Sequence, residues 1–195
     1  MALELLLFFT LFFAAAFFWP TWRLWRRDRI NALVLPYDDS VHGTVGRWFR
    51  GTLAAIFVIL ALMSFGAPET AFGSLSWLTN TWIGIAGWAL LAFALGWVVL
   101  AQAQMGASWR IGIDPGAPQP LVGNGLFGLS RNPIFMGMRI ALLGLFMVLP
   151  NAFTLAVLGM AEVLMQIQVR LEETHLERVH GRDYQNYRNA VRRWI

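Results

Sequence analysis

The residues of this sequence that could bind a charged ligand lie in two short segments of its C-terminal half. They are Arg131, Asn132, Gln166, Arg170, Glu172 and Glu173. Guanidinium and amide groups bind carboxylates, and carboxylates bind ammonium groups, so this set fits a zwitterionic ligand. The glycines of the preceding loop, GNGLFG, allow the backbone to approach a flat ring. The alternative is that the arginines anchor the chain at a membrane surface, with the glutamates as their surface partners.

A second pair of charges, Arg139 and Glu162, lies inside two strongly apolar runs. Ionisable groups within a membrane are costly and are normally paired. The dipeptide Pro150-Asn151 between the runs is a turn signal. Arg139 lies 11 residues before Pro150, and Glu162 lies 11 residues after Asn151. This register predicts an ion pair that clamps the two runs in mid-membrane, and a direct role in binding or chemistry is the alternative.

The composition predicts an integral membrane protein. The 195 residues are 57% hydrophobic and only 13% charged, whereas soluble domains are usually about a quarter charged. All 15 basic residues are arginines that mostly flank the apolar runs and form no clustered basic face, which argues against nucleic-acid binding. Cysteine is absent and the three histidines lack ligand spacing, so we predict no metal site.

The elements that must position these charges are transmembrane helices, each of which needs about 20 apolar residues. Five runs are predicted to cross the bilayer: Ala2–Trp19, Phe49–Ala67, Trp82–Ala103, Ile134–Leu149 and Ala152–Val169. The last two are predicted to form a helical hairpin. Tyr184, Tyr187 and Val191 share one helical face, which predicts an amphipathic C-terminal helix. The predicted fold is one all-α polytopic domain, with helices one to three in residues 1–103 and the half that carries the candidate binding residues in residues 104–195.

The distribution of arginine orients the predicted helices. Every Arg-bearing connection falls on the same side of a five-helix arrangement, which is then cytoplasmic. The N-terminus is therefore expected outside and the C-terminus in the cytoplasm, in a membrane of the bacterial inner type. Arg192 and Arg193 are expected to contact anionic lipid headgroups. Gly84, Gly87 and Gly96 permit close helix contacts without requiring an oligomer.

Three motifs in the C-terminal half resemble those of the isoprenylcysteine carboxyl methyltransferase and phospholipid methyltransferase group of integral membrane enzymes. They read LVGNGLFGLSRNPIF, then EETHL, then HGRDYQNYRNAVRRWI, in the order and spacing of that group, around a hydrophobic hairpin. The resemblance covers Gln104 to Ile195. It implies a methyltransferase that uses S-adenosyl-L-methionine as methyl donor and acts on a lipophilic acceptor in the membrane.

The resemblance also implies which residues bind the donor. The adenosine part maps onto Leu121, Val122, Gly125 and Phe127. The methionine part maps onto Arg131, Asn132, Pro133, Phe135 and Glu172. Three departures occur: Asn132 replaces a common His, Phe127 and Phe135 replace tyrosines, and Gln168 replaces a substrate-binding Arg. Arg170 is the candidate replacement for that Arg, although it lies on a different helical face. An acceptor that starts protonated needs a base, for which Glu173 is the candidate, ahead of His175.

The acceptor and the reaction class leave alternatives open. The first expectation is an acceptor like that of the isoprenylcysteine carboxyl methyltransferases. Its alternative is a phospholipid or another small lipophilic amine or thiol. A transporter component is a rival, although spans one to three carry no ionisable residue in mid-span. A non-catalytic membrane scaffold is a further rival, which the departures at Asn132 and Gln168 favour.

Overall fold

The computed structural model describes residues 1–29, 31–34, 38–112 and 120–195. The predicted all-α class is confirmed, since the fold is 78% helical and its described residues contain no strand. Residues 113–119, within the long Gly- and Pro-rich connection, lie outside the described part. The α-helices are α1 Ala2–Phe13, α2 Trp19–Asp28, α3 Val41–Ser64, α4 Thr81–Met105, α5 Pro133–Val148, α6 Ala152–His180 and α7 Arg182–Ala190.

Within the described residues, four helical segments are long and apolar enough to cross a membrane. They are Ala2–Arg27, Val41–Ser64, Thr81–Ser108 and Ala152–His180. The remaining apolar helix, α5, has 16 residues, which gives about 24 Å at 1.5 Å per residue. That length is short of the roughly 30 Å hydrocarbon core of a bilayer. The structure therefore supports four of the five predicted spans by length and leaves α5 as a shorter apolar helix.

The first helix runs beyond the predicted end at Trp19. A π-helical turn at Ala14–Phe18 joins α1 to α2, and Pro20 lies at the start of α2. Proline lacks an amide hydrogen and its ring clashes with the carbonyl four residues earlier, here that of Ala16. A wider π turn over those residues accommodates the proline, as is common where a helix would otherwise break. The apolar span and the basic Trp-rich segment after it therefore form one continuous helical segment.

The most extensive helix packing joins α4 to α5 and includes close contacts at three glycines, Gly87, Gly137 and Gly144. A Cβ atom added at Gly144 would lie 2.9 Å from the carbonyl oxygen of Gly87. A Cβ atom added at Gly87 would lie 2.8 Å from Cγ2 of Val148. Gly84 and Gly96, which carried the same sequence expectation, face open space. Only Gly87 of the three named glycines thus serves a close helix contact within the described residues.

Substitution of Gly144 by Ala is expected to destabilise the protein by about 1–3 kcal/mol, because the added methyl group forces α4 and α5 apart. The midpoint of thermal unfolding in detergent measures the effect. Gly96→Ala is the matched control: it adds the same methyl group to a helix at an open position and is expected to be neutral or slightly stabilising. Equal losses in the two variants would contradict this account of the packing.

The connection between α5 and α6 is short and well capped. Asn151 caps α6 through a reciprocal capping box, in which its Oδ1 accepts a hydrogen bond from the Thr154 amide at 2.8 Å. The loop before α4 covers this turn, since the Leu75 amide donates to the Pro150 carbonyl at 2.9 Å. The predicted pairing of Arg139 with Glu162 is confirmed: Nε and Nη2 donate to the two carboxylate oxygens at 2.7 and 2.6 Å.

The chain after the apolar part of α6 folds back onto the helices. α6 continues to His180, beyond the predicted span end at Val169, and α7 follows Gly181. The predicted C-terminal helix is therefore present as α7. Its Tyr184 is fully buried, so α7 packs against the protein on that face. Residues 191–195, which we call the C-terminal strap, are not helical and lie over the start of α5.

Candidate functional site

A cavity of about 460 Å³ lies among α1, α3, α5 and α6 and the loops that precede α5. Its size is within the usual range of small-molecule sites. Along α6 its lining extends from Ala161 to His180, which corresponds to roughly 28 Å of helix. The end near Ala161 is apolar, with Phe9, Phe12 and Ile56 among its walls. The other end carries the polar side chains, so the cavity is divided into a polar and an apolar part.

Glu172 lies in the polar part of the cavity. Gln168, one turn earlier on α6, donates a hydrogen bond from Nε2 to Glu172 Oε1 at 2.9 Å. Among the described residues the carboxylate of Glu172 forms no salt bridge, in contrast to Glu162, Glu173 and Glu177. A carboxylate without a cation in an apolar setting is costly. Glu172 is therefore placed to accept a cationic group from a ligand.

Arg131 lines the same cavity and is almost fully enclosed, with its side chain 9% exposed. Its Nη2 lies 3.2 Å from Glu173 Oε1, and its Nη1 donates to the Arg188 carbonyl at 3.4 Å. Its Nε is buried without a hydrogen-bond partner. Buried donors are rarely left unsatisfied in native structures. The positive charge of Arg131 in the cavity lining, with one donor unsatisfied, thus fits an anionic group of a ligand.

The glycine loop is held between α4 and α7. Gly125 has a φ of +58° and packs so closely on Gln104 that an added Cβ would lie 2.5 Å from that side chain. Gln104 Oε1 accepts a hydrogen bond from the Leu126 amide at 2.8 Å. On the other side Tyr187 donates its hydroxyl to the Phe127 carbonyl at 2.7 Å. Burial raises the pKa of Tyr187 to about 12, so the hydroxyl keeps the proton that it donates.

The sequence profile of the phospholipid methyltransferase family matches residues 82–183. This chain belongs to the phospholipid methyltransferase family. The match runs from the start of α4 into α7 and contains the glycine loop, α5 and α6. The resemblance drawn from the three motifs is therefore confirmed, and the protein is an integral membrane methyltransferase by family. No curated protein and no solved structure shows significant similarity to the chain.

Most residues that the resemblance assigned to the donor lie together in the phospholipid methyltransferase cavity. The lining includes Leu121, Val122, Phe127, Arg131, Asn132, Pro133, Phe135 and Glu172. Gly125 is absent from the lining and instead packs on Gln104. Asn132 and Glu172, which come from different helix ends, face one space. The structure thus brings the two motif segments to a common cavity.

Glu173 and Arg170, the two residues predicted to be catalytic, lie outside the cavity lining. Glu173 lies outside the cavity lining and is bound by Arg131 and Arg193, and Arg170 is exposed. Successive residues of an α-helix point about 100° apart. Glu172 therefore faces the cavity while Glu173 faces the strap. These contacts do not support the catalytic roles predicted for Glu173 and Arg170, which stay predictions.

Sequence analysis missed several cavity residues. Phe9, Phe12 and Phe13 of α1 form part of the apolar wall, and Arg110 lies in the lining. His175, the second candidate for the base, lies there as well. The three phenylalanines follow the three-to-four-residue spacing of one helical face, which is the available signal. The resemblance did not include α1, so nothing assigned that face to the site. Within the described residues, no group of three or more His, Asp or Glu side chains could hold a metal ion.

Proposed function

We propose that this protein transfers the methyl group of S-adenosyl-L-methionine to a lipophilic acceptor that enters from the bilayer. The observation that supports this most strongly is one cavity with a carboxylate, a guanidinium cation and a long apolar extension. Glu172 and Arg131 supply the two charges, and side chains of α1, α3 and α6 supply the extension. Membership of a methyltransferase family gives the reaction class.

The polar part of the cavity fits the amino-acid portion of such a donor. An ammonium group would bind Glu172, which has only the Gln168 amide as its partner among the described residues. A carboxylate would bind Arg131 through the unpartnered Nε and satisfy the buried donor. The aromatic ring of Phe127 and the side chains of Leu121 and Val122 supply a surface for the adenine. The donor supplies an electrophilic methyl group on a sulfonium when bound.

The apolar part of the cavity fits a lipophilic acceptor. Methyl transfer by in-line displacement requires chiefly that two reactants are aligned and shielded from water. The phenylalanines of α1 and the aliphatic side chains of α3 supply that shielding. An acceptor that starts as an ammonium ion would need a base, and His175 lies in the lining whereas Glu173 does not. The prenylcysteine carboxylate and the phospholipid amine both remain within this proposal.

The proposed topology has five crossings, with α5 and α6 as a hairpin and the C-terminus in the cytoplasm of a bacterial-type inner membrane. The Pro150-Asn151 turn and the Arg139–Glu162 pair support the hairpin. The arginines of the connections support the orientation. With about 24 Å of helix, α5 crosses if flanking residues or a locally thinner bilayer make up the difference. Residues 104–195 carry most of the donor contacts, while α1 and α3 from residues 1–103 complete the cavity.

The test is transfer of radiolabelled methyl from the donor into a total lipid extract, followed by chromatography. We expect labelled lipid with the wild-type protein. We expect at least a tenfold lower rate with Arg131→Ala, because the carboxylate of the methyl donor then has no buried cation to bind. Arg178→Ala, which removes an exposed arginine of α6, is expected to behave as the wild type. Parallel assays with phosphatidylethanolamine and a prenylated cysteine separate the two acceptor classes. Absence of both transfer and donor binding in the wild type would refute the proposal.

A further inference from the structure

The C-terminal strap, residues 191–195, binds the segment that carries Arg131 and Asn132. Its contacts begin with the backbone. The Arg192 carbonyl accepts a hydrogen bond from the Arg131 amide at 2.9 Å. The Arg193 carbonyl accepts two more, from Ser130 Oγ at 3.1 Å and from Asn132 Nδ2 at 3.2 Å. The strap therefore satisfies polar groups of the three residues before α5.

Side chains of the strap add a charged contact to the same segment. Arg193 donates to both carboxylate oxygens of Glu173, at 3.0 and 2.6 Å. Glu173 also binds Arg131, so one carboxylate that is 10% exposed bridges two arginines. The hydrogen bonds to Glu173 raise the pKa of Arg193. Two cations share one anion here, which leaves positive charge beside the cavity.

The end of the strap is fixed on α5. The Trp194 ring lies over the Arg139 guanidinium, with 4.3 Å between Cζ and the ring centroid. Arg139 is itself held by Glu162. A cation–π contact of this kind is stabilising, and more so when it is shielded from water. The strap thus contacts the rest of the protein through three successive residues, Arg192, Arg193 and Trp194.

We propose that Glu173 and the C-terminal strap are positioning elements of the donor site. They hold the Arg131 guanidinium and the Asn132 amide in the orientation that binds the ligand's anionic group. An unrestrained arginine loses side-chain freedom when it binds, and restraint beforehand removes that cost from binding. Arg131 contacts Glu173 through Nη2, and its side chain lines the cavity. This inference rests on the proposed function, because it concerns affinity for the methyl donor.

Substitution of Arg193 tests the proposal, with Arg192 as the matched control. Both are strap arginines, but the Arg192 side chain is exposed while that of Arg193 binds Glu173. We expect Arg193→Ala to raise the KM for S-adenosyl-L-methionine, and the Kd of S-adenosylhomocysteine, by about tenfold, with kcat changed far less. Arg193→Lys keeps one charge and is expected to restore part of the affinity. Glu173→Gln is expected to match Arg193→Ala, whereas Arg192→Ala should leave both constants unchanged.

The outcomes separate this inference from the proposed function. Calorimetry in detergent gives the Kd independently of any acceptor, and radiolabel transfer into lipid extract gives KM and kcat. Equal effects of Arg193→Ala and Arg192→Ala on an active protein would overturn the positioning role alone. A lower kcat and unfolding midpoint with unchanged KM and Kd would also overturn it, because the strap would then be structural only. A wild-type protein that binds no donor would overturn both proposals.

Discussion

Glu172→Gln is expected to weaken binding of S-adenosylhomocysteine by about a hundredfold. The substitution keeps the size of the side chain and removes the charge that the ligand's ammonium group would meet. Truncating one partner of a buried, hydrogen-bonded charge pair costs about 2–5 kcal/mol, and a hundredfold loss corresponds to about 2.7 kcal/mol. The hydrogen bond from Gln168 to the remaining carbonyl oxygen can persist, so the fold is expected to stay intact. Calorimetry in detergent measures the change.

Glu177→Gln is the matched control for this substitution. Glu177 lies on the same helix, five residues further on, and its carboxylate pairs with Arg188 at the surface at 3.3 Å. Its removal is expected to leave the Kd within about twofold, because exposed ion pairs contribute little. A similar loss of affinity in both variants would mean that binding depends on the total negative charge of α6 and not on the position of Glu172 in the cavity. An unchanged Kd in Glu172→Gln would remove Glu172 from the site.

The Glu172-Glu173 pair marks the limit of what sequence could predict at this site. The motif EETHL indicated that one acid binds the ligand, and the resemblance favoured the first. The role of the second could not be read from spacing, because its partner Arg193 lies 20 residues away in a segment without helical pattern. Helical geometry places the two acids on adjacent faces. The positions of Arg131 before α5 and of Arg193 in the strap decide what the second face meets.

The Arg139–Glu162 contact was predictable because it depends on local rules alone. A short turn fixes the register of two consecutive helices, and residues equidistant from the turn then come level. The cost of an unpaired charge in an apolar run supplied the reason for the pairing. The helix ends were less predictable. α6 continues to His180 because its polar residues beyond Val169 pack on the strap and the cavity. Hydropathy marks only the end of the apolar part of the helix, and not the end of the helix itself.

The strap itself could not be predicted, because its contacts with the three residues before α5 are made by backbone carbonyls. The Arg192 and Arg193 carbonyl oxygens accept hydrogen bonds from Ser130, Arg131 and Asn132. Any residue type offers a carbonyl, so sequence carries no signal for them. The sequence pattern instead predicted that Arg192 and Arg193 bind lipid headgroups. The structure gives Arg193 an intramolecular carboxylate partner and leaves Arg192 exposed.

Arg139→Leu is expected to destabilise the protein by about 3 kcal/mol. Breaking a buried ion pair by removing one partner costs about 3–5 kcal/mol, because the other charge stays behind. We take the lower end since the two side chains are 28% and 37% exposed. In the proposed topology that exposure is toward lipid as well as water. The substitution also removes the surface on which Trp194 lies. The unfolding midpoint in detergent measures the loss.

The double variant Arg139→Leu/Glu162→Leu shows whether the loss comes from the pairing. Replacing both partners of a buried pair with apolar residues is often neutral, so the double variant is expected to recover most of the stability lost in Arg139→Leu. The reference is the surface pair Arg188–Glu177, whose disruption is expected to cost at most about 1 kcal/mol. If the losses of Arg139→Leu and Glu162→Leu add up in the double variant, Arg139 and Glu162 act independently. A strong coupling would mean that the only ionisable residue of α5 is retained in an apolar helix because Glu162 on α6 neutralises it.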